Sequence, residues 1–475
     1  MTTATSQTAT TDFRLGFASL GEETAVERLP VGGVVPEWLG GALVRVTPAM
    51  LEVGDRRVDH WFDGLAMLNR FGFSGGEVSY ASRFLESGAY REAREGRLTA
   101  GFATDPCRSI FKRVQAIFSP DFTDNPNVNL ARIGERYIAM TETPMPVEFD
   151  PDTLETLGHL EYADGLRAHV TTAHPHHDPE RDELVNYVAR LSRVSEYVLY
   201  GLPAGGSRRR VIARLPVRRP AYMHSFGMSG RHLILAEYPL RVNPLRLALS
   251  GKPFIENYEW DPREPTRLQV VDRETGALRG TYETDAFFCF HHVNAYERDG
   301  GRELVVDLVA YDDPSIIDAL YLDEHGPRGA MPPAELRRYA IDLEGGAVRC
   351  EALAEGSVEL PRIDYGRRNA RDYRYAYFTG NEGGWLDQLV KVDVSDGTRS
   401  VWAAPGCYPG EPVFVRRPGA QDEDAGVVLS VVLDAAAGRS FLLVLDAQCF
   451  EEVARAEAPH HIPFGFHGQH LQEAT

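Results

Sequence analysis

The sequence predicts an all-β protein, a seven-bladed β-propeller with long inserted loops. Three observations predict it: short apolar strands alternate with polar turns, helical periodicity is scarce, and one hairpin pattern recurs seven times. A chain of 475 residues exceeds one ordinary core but suits a large propeller. The alternative that these observations leave open is a large array of β-sandwiches.

The recurring hairpin is a strand that ends in a turn built around Asp or Gly, followed by a returning strand, which is typical of an antiparallel pair. The seven copies begin at residues 65, 147, 196, 268, 336, 389 and 442. A second kind of hairpin lies between them, as in "YMHSFGMSGRHLILAEY" and "HVNAYERDGGRELVVDLVAY". Two hairpins make a four-stranded blade, and a spacing of roughly 50 to 80 residues is typical of blades with long loops.

Composition and charge exclude several classes of protein. The content of 43% hydrophobic and 25% charged residues is that of an ordinary globular chain. A net charge of −19 repels phosphate backbones, so nucleic acid is not expected as a partner. The cysteines (Cys107, Cys289, Cys350, Cys407 and Cys449) are far apart and form no CxxC pair. This pattern indicates free thiols in a reducing compartment and excludes cysteine as the main source of metal ligands.

The opening "MTTATSQTATTDF" is polar and carries no basic or apolar run. We therefore interpret residues 1–12 as a short disordered tail rather than a signal peptide, and residues 13–475 as a single propeller domain. No apolar run is long enough to span a bilayer, and the longest, "GVVLSVVL", has the size of a strand. These features predict a cytoplasmic protein.

Four histidines fall at related places in the repeat. His174, His224 and His291 each precede a turn and an apolar strand by a similar distance, and His467 follows the last hairpin, where a ring-closing strand is expected. Inner strands of a propeller run along one axis, so residues at one level of them point at a common centre. Although a lone buried histidine is more often a hydrogen-bonded core residue, this shared position predicts a metal site of four imidazoles.

The neighbouring histidines are not predicted to be ligands. His176 and His177 lie in "HPHHDP", which we interpret as a surface turn, and His292 should point to the opposite face of its strand from His291. The others, which are expected to flank the site or face solvent, are His460, His461 and His470.

The motifs "AHPHHDP", "MHSF", "FHHVNAYE" and "FGFHG" resemble the four histidine motifs of the carotenoid cleavage oxygenases, in that family's order. "HWFDGLAML" resembles the family's early His-x-Phe-Asp-Gly signature. The resemblance covers nearly the whole chain from about residue 30. It is nearest to the animal-type branch of β-carotene oxygenases and retinoid isomerases, and it fits a bacterial member. It implies that the inserted loops form a dome of helices and loops over the propeller.

The resemblance also implies a non-haem iron(II) ion on the axis, held by His174, His224, His291 and His467. Three glutamates are implied to accept hydrogen bonds from ligand imidazoles: Glu142 in "TETP", Glu359 in "VELPRIDY" and Glu411 in "YPGEPVF". Physical chemistry agrees, because a ligand histidine needs its other ring nitrogen fixed, commonly by a carboxylate. A glutamate in an apolar strand is costly unless it is paired. The alternative for each glutamate alone is a surface salt bridge.

Four further residues match positions of the family. Val128 resembles a residue that crowds one coordination position of the iron, and Thr141 stands directly before Glu142 in the substrate pocket. His60 and Asp63 belong to the early signature, and we interpret them as structural residues that close the ring or brace the floor.

The reaction that the resemblance implies is insertion of both atoms of dioxygen across a conjugated double bond, giving two carbonyl products, as in β-carotene to retinal. Stilbene cleavage is a rival, but stilbene-cleaving members carry lysine where this chain has Thr141. A retinoid isomerase of the same family remains open, as do the polyene and the bond cleaved. A propeller that only binds ligands is the third rival, and it would leave the histidines and glutamates without a purpose.

A polyene is almost insoluble in water, so it must arrive from a membrane or a carrier. The segment "DPCRSIFKRVQAIFSPDF" places basic residues among apolar ones near helical spacing: Ile110, Phe111, Val114, Ile117 and Phe118. It predicts a tunnel mouth that dips into lipid, and hence peripheral membrane contact. The alternative is an ordinary dome helix. A second apolar loop, "YPLRVNPLRLALSGKPF", is a candidate for the same contact.

Overall fold

The strands build seven antiparallel sheets that follow one another along the sequence as the blades of a propeller. The computed structural model describes residues 12–99, 101–104, 123–324 and 326–472. The predicted all-β propeller is confirmed, and the described strands form its blades rather than an array of sandwiches. Residues 1–11 of the predicted tail lie outside the described residues, so its disorder stays a prediction.

The strands of each blade follow in order from the axis outward. Blade 1 contains Gly468–Leu471, Gly41–Met50, Leu65–Ser74, Glu77–Phe84 and Thr24–Val26. Blade 2 contains Asn129–Ile133, Arg136–Met140, Val147–Phe149 and Thr156–His159. Blade 3 contains the inner pair of segments Val170–Thr171 and His176–Asp178, then Glu183–Arg190, Ser195–Pro203 and Arg210–Val217. Blade 4 contains Gly227–Met228, His232–Glu237, Thr266–Asp272 and Leu278–Thr284.

The remaining blades have the same order. Blade 5 contains Phe288–Arg298, Glu303–Tyr311, Glu335–Asp342 and Val348–Ala352. Blade 6 contains Val358–Ile363, Tyr375–Gly380, Gln388–Asp393 and Arg399–Trp402. Blade 7 contains the inner segments Cys407–Pro409 and Val413–Arg416, then Gly426–Asp434, Arg439–Asp446, Glu452–Glu457 and Val31–Gly33. Among the described loop residues there are three two-stranded ribbons: Glu52–Val53 with Arg56–Arg57, Leu240–Val242 with Tyr258–Trp260, and Leu322–Asp323 with Gly326–Pro327.

The helices are short and also lie in the loops. The α-helices of the described chain are Gly88–Arg94, Pro244–Ser250, Ser315–Ala319 and Tyr365–Arg368. The 3-10 turns are Phe13–Phe17, Trp61–Asp63, Ile255–Asn257 and Asp299–Gly301. Within the described ranges, none of these helices has the length and apolar character needed to cross a membrane.

Both ends of the chain close the ring. The C-terminal strand Gly468–Leu471 pairs with Gly41–Met50 and becomes the inner strand of blade 1. Near the N-terminus, Thr24–Val26 extends the outer edge of blade 1, and Val31–Gly33 extends that of blade 7. This arrangement places the last strand, which follows His467, beside the axis.

The seven predicted hairpins are the outer hairpins of the seven blades. They could be predicted because local residues encode their turns. In blade 4 the Asp272 carboxylate accepts the backbone N–H groups of Glu274 and Thr275, at 3.0 and 2.7 Å. In blade 1 the turn is Gly75–Gly76, and both residues have positive φ, as a two-residue hairpin turn of type I′ requires.

Apolar side chains fill the gaps between neighbouring blades. The run "GVVLSVVLD" of strand Gly426–Asp434 is buried along nearly its whole length because a further blade packs on each face. Apolar clusters join blades 1 and 7, blades 3 and 4, and blades 6 and 7. Each fully buried leucine or valine contributes about 1.5–3 kcal/mol relative to an exposed one. This packing gives the axial side chains a rigid frame.

Candidate metal centre

The structure brings the four predicted histidines together at the axis. They come from four blades: His174 from blade 3, His224 from blade 4, His291 from blade 5 and His467 from the start of the closing strand in blade 1. Their ligand nitrogens all lie within 4.8 Å of one another. The Nε2 atoms of His174 and His224 are 3.0 Å apart, and those of His291 and His467 are 3.1 Å apart.

Irregular backbone aims two of the axial side chains. His291 lies where the pairing register of its strand shifts, between Cys289 and Asn294. The register shifts again beside Glu359, where Leu360 adopts a positive φ of 52°. Such bulges and left-handed residues are costly and persist at sites where they direct a side chain.

Three glutamates hold the imidazoles from behind. The Nδ1 atoms donate as follows: His224 to Glu142 at 2.8 Å, His291 to Glu359 at 2.6 Å, and His467 to Glu411 at 2.7 Å. Glu359 and Glu411 are buried and Glu142 is nearly so, which excludes the surface salt bridge as their role. His174 differs, because none of the described carboxylates is hydrogen-bonded to its ring, and its backbone N–H donates to Thr172 Oγ1 at 3.0 Å.

These hydrogen bonds test whether a metal fits. An ionised carboxylate only accepts, so Nδ1 carries the proton and Nε2 presents a lone pair. His291 and His467 therefore point two acceptors at each other across 3.1 Å, which is unfavourable unless a cation lies between them. Two nitrogens bound at about 2.1 Å and roughly at a right angle on one transition-metal ion lie about 3 Å apart. The residues present thus fit a metal ion.

The surroundings favour neutral imidazole at His174 and His467 and an ionised carboxylate at Glu359. Burial lowers the pKa of His467 to about 4, and burial together with the other three imidazoles holds the pKa of His174 well below its usual value. For Glu359, burial opposes ionisation, but the adjacent His291 imidazole, which donates a hydrogen bond to the carboxylate, outweighs burial and lowers the pKa of Glu359. Neutral imidazole is the form that binds a metal.

The outer partners of the glutamates were not predicted from the sequence. The Tyr222 hydroxyl donates to Glu142 at 3.0 and 2.9 Å, and the Tyr311 hydroxyl donates to Glu359 at 3.1 Å. Tyr222 stands two residues before His224, so the period of an extended chain places them on one side. Tyr311 has no such local signal.

Glu411 has arginines where the other two glutamates have tyrosines. Arg362 and Arg45 both approach its carboxylate. Burial would raise the pKa of Glu411, but the Arg362 and Arg45 guanidinium groups and His467 lower it to about 2. These arginines were also missed by the sequence interpretation.

A cavity of about 1460 Å³ opens onto the metal centre. The residues that line it nearest the chemistry include Phe62, Phe102, Val128, Thr141, Glu142 and His224. Val128 and Thr141 therefore lie in the cavity wall, where the sequence interpretation put a substrate pocket. The volume is large enough for a long apolar ligand.

His60 and Asp63 brace the wall of this cavity. The Asp63 carboxylate accepts the N–H groups of Phe102 and Ala103, at 2.5 and 2.9 Å, and the Thr104 hydroxyl at 2.7 Å. Burial raises the pKa of Asp63 to about 6. His60 Nε2 donates to the backbone carbonyl of Ile317 at 3.0 Å. Within the described chain, neither side chain belongs to the histidine cluster.

The neighbouring histidines bind protein groups. The predicted surface turn at His176 and His177 is wrong, because both residues lie in the short strand His176–Asp178. His176 Nε2 donates to the Phe226 carbonyl at 2.9 Å. His177 is exposed, and His292 Nδ1 lies 2.8 Å from Ser225 Oγ. The C-terminal ones contact main-chain carbonyls: His460 that of His461, His461 that of Ala18, and His470 that of Gly40.

The predicted tunnel-mouth residues Ile110, Phe111, Val114, Ile117 and Phe118 lie outside the described residues. The second apolar loop is described. Its helix Pro244–Ser250 lines the cavity and exposes Leu245 and Leu249, at 68% and 61% of their surface.

Together, the fold and the site define a seven-bladed propeller with an axial four-histidine metal site beneath a large cavity. The family profile described as "Retinal pigment epithelial membrane protein" matches residues 17–472. The chain belongs to this family of carotenoid oxygenases, and the resemblance predicted from the motifs is confirmed.

Curated relatives and solved structures agree. The chain is 34% identical to a mitochondrial carotenoid-cleaving dioxygenase of Macaca fascicularis, covering 94% of this chain and 93% of the relative. It is 33% identical to the β,β-carotene 15,15′-dioxygenase of Homo sapiens (94% and 92%) and 34% identical to a carotenoid isomerooxygenase of Galleria mellonella (96% and 96%). A solved cobalt-substituted Synechocystis ACO superposes with a TM-score of 0.84 at 28% identity, covering 97% of this chain and 98% of that one.

Proposed function

We propose that the protein is a non-haem iron(II) dioxygenase that cleaves a conjugated C=C bond of a carotenoid or apocarotenoid to two carbonyl products. One observation carries the proposal: four imidazole lone pairs converge within 4.8 Å at the end of a cavity of about 1460 Å³. The similarity to carotenoid-cleaving dioxygenases supports the substrate class.

Iron is the metal that we propose for the site. Four neutral nitrogen donors suit several divalent first-row metals, so the donor set alone does not select iron. Bound there, a ferrous ion would supply the electrons that activate dioxygen for reaction with an alkene. Glu142, Glu359 and Glu411 would orient His224, His291 and His467 toward it, and their negative charge would offset the charge of the ion.

The protein's own part in the reaction is to exclude water and to place the alkene. The Phe62 ring lies nearly parallel to His224, with centroids 6.2 Å apart, and Phe290 meets the same imidazole edge to face at 5.0 Å. Phe466 packs on Phe62 at 5.0 Å. Because one alkene and one dioxygen give two carbonyls with no atoms left over, the net reaction requires no acid or base from the chain.

Thr141 and Val128 are the residues that we propose to shape the substrate pocket beside the metal. Val128 is buried and reaches the cavity, and Thr141 precedes Glu142 in its wall. Thr141 has no amine to meet a phenol, which disfavours a stilbene substrate. A carotenoid therefore remains the better candidate.

The second candidate function is retinoid isomerisation, favoured by the family profile, whose description names the retinal pigment epithelial protein. The two candidates differ in whether dioxygen is consumed. A carotenoid isomerooxygenase among the relatives shows in its name that both kinds of chemistry can be ascribed to one family member.

The test is to incubate iron-loaded enzyme with β-carotene and with apocarotenals under isotope-labelled dioxygen. We expect one dioxygen to be consumed per alkene, and mass spectrometry to find the label in both carbonyl products. His291→Ala, which removes one imidazole, and metal-free protein are the controls. Isomerised retinoid without dioxygen uptake would assign the second candidate, and no turnover of any polyene would overturn both.

We also propose that the cavity mouth contacts a membrane. The exposed Leu245 and Leu249 on a helix that lines the cavity support this contact, since a polyene must leave a lipid phase to enter. Cytoplasmic location with peripheral attachment remains part of the proposal.

A further inference from the structure

Glu411 differs from the other two glutamates in the charge of its partners. Glu142 and Glu359 each accept from a neutral tyrosine hydroxyl, of Tyr222 and Tyr311. Glu411 instead lies between two guanidinium groups, of which Arg45 is fully enclosed and Arg362 retains 23% of its side-chain exposure. The positive charges around the metal site are therefore unevenly distributed, because both arginines lie beside Glu411, the partner of His467.

Arg362 links the charge of Glu411 to the backbone that carries His467. Its Nε lies 3.1 Å from Glu411 Oε1, and its Nη2 donates to the carbonyl of Gly468, the residue after His467. The hydrogen bonds to the carboxylate come from elsewhere, from His467 Nδ1 at 2.7 Å and from the Gly468 N–H at 2.9 Å. Arg362 thus interacts with Glu411 through its positive charge, and it holds the closing strand in place through its hydrogen bond to the Gly468 carbonyl.

Arg45 holds the other side of the same ligand. It donates to the backbone carbonyl of Glu411 at 3.1 Å and to that of Phe466, the residue before His467, at 3.2 Å. Because Arg45 is 3% exposed and satisfies two main-chain carbonyls, its removal would damage the fold. Arg362, at the edge of the site, is the arginine whose electrostatic role can be separated from folding.

A fixed positive charge beside a metal favours its lower oxidation state, since the extra charge of the oxidised ion is repelled. Water screens this effect least where the groups are buried, and Glu411 is 1% exposed. Arg362 also draws carboxylate charge away from His467, so this imidazole is the weaker donor. A weaker donor likewise disfavours the oxidised ion.

We propose that Arg362 is a positioning residue that fixes His467 through Glu411 and raises the reduction potential of the bound metal, which keeps it divalent. The inference rests on the proposed iron centre but not on which alkene is cleaved. Arg362 is outside the described histidine cluster and is not among the described residues that line the cavity.

The test compares iron-loaded parent, Arg362→Gln and Arg362→Lys by redox titration, without substrate. We expect Arg362→Gln to lower the midpoint potential and to weaken metal affinity by about 10–100-fold in chelator competition. Arg362→Lys keeps the positive charge but loses the planar guanidinium, whose separate N–H groups reach Glu411 and Gly468. The potential should therefore return toward the parent value while metal affinity stays reduced. Arg367→Gln is the matched control, because Arg367 is exposed on the adjacent helix and its side chain donates to the Ala420 carbonyl at 3.5 Å.

An iron-loaded Arg362→Gln protein with the parent's potential and metal affinity would overturn the inference. Should that variant not fold, Arg362→Lys decides between the outcomes. A potential that falls despite the retained charge contradicts the electrostatic role. Unchanged metal affinity contradicts the proposal that the hydrogen bond to Gly468 positions His467. The absorption bands of the cobalt-loaded proteins give a second readout of ligand-field change at His467. Failure of the proposed function appears separately, as a parent protein that binds no iron or turns over no polyene.

Discussion

Glu359 illustrates how much the site depends on single side chains. Its buried carboxylate accepts His291 Nδ1 at 2.6 Å, the Leu360 N–H at 2.5 Å and the Tyr311 hydroxyl at 3.1 Å. The sequence predicted its pairing with His291, because a glutamate in an apolar strand needs a partner. It did not predict Tyr311, which lies 48 positions away and has no local signature.

Replacing Glu359 with Gln should weaken metal affinity by about 10–100-fold, because the neutral amide no longer fixes His291 with a charge. Equilibrium dialysis with ferrous iron measures the change. Glu297→Gln is a matched control, since Glu297 holds His232 at 3.0 Å in a similar pair and neither residue belongs to the described histidine cluster. Equal loss of affinity in both variants would contradict the assigned role.

His60 should make stability depend on pH. Burial lowers the pKa of His60 to about 3, below the usual 6.5, so the unfolded chain binds the proton more readily. The contribution of His60 to the free energy of unfolding is therefore fully present above pH 6.5. It is lost progressively as the pH falls from 6.5 toward 3. Urea unfolding of the parent and of His60→Gln across this range should show the steeper decline in the parent, and parallel curves would contradict the expectation.

At the scale of the elements, different blades contribute the histidines and the glutamates of the site. Blades 3, 4, 5 and 1 supply imidazoles, while Glu142 follows a strand of blade 2, Glu359 lies in the inner strand of blade 6, and Glu411 lies between the inner segments of blade 7. The outer hairpins were predictable because turns such as that at Asp272 are local. The contact between Arg45 and Glu411 was not predictable, since the two residues are 366 positions apart.

The closing strand tolerates no side chain at Gly468. A Cβ there would lie 2.5 Å from Arg45 Cγ and 2.7 Å from the Val44 carbonyl, so Gly468→Ala should displace the strand that follows His467. We expect a loss of about 1–3 kcal/mol in unfolding free energy together with loss of metal. Gly21→Ala, where a Cβ meets nothing within 4 Å, is the control for thermal unfolding and iron content. A stable, metal-replete Gly468→Ala protein would contradict the tight packing.

In the whole molecule, ring closure positions a residue of the site, and the loops between blades connect that site to the surface. The C-terminal strand completes blade 1 and fixes His467, and the loops between blades form the walls of a cavity that ends at the histidines. The motifs predicted the fold and the convergence of the histidines, because both repeat with the blades. They did not predict the cavity's loops, such as residues 101–104 on Asp63, because long-range contacts with irregular backbone leave no period in a sequence.

The double variant Leu245→Glu with Leu249→Glu should weaken association with lipid vesicles while leaving iron content unchanged. Both leucines are exposed on a helix at the cavity, and charge there opposes insertion into lipid. Vesicle flotation measures the effect, with Val34→Glu as control because Val34 is 76% exposed and does not line the cavity. Equal flotation of the double variant and the parent would contradict the proposed membrane contact.

The proposed function of the whole molecule depends on four imidazoles from four blades, which would together bind one ferrous ion. X-ray absorption spectroscopy of protein loaded with iron under anaerobic conditions examines this binding, together with metal analysis of His224→Ala and His291→Ala. We expect one iron per chain with a nitrogen coordination shell that shows imidazole scattering, and loss of that iron in each variant. Iron that is absent, or that binds equally well after these imidazoles are removed, would contradict the four-histidine centre.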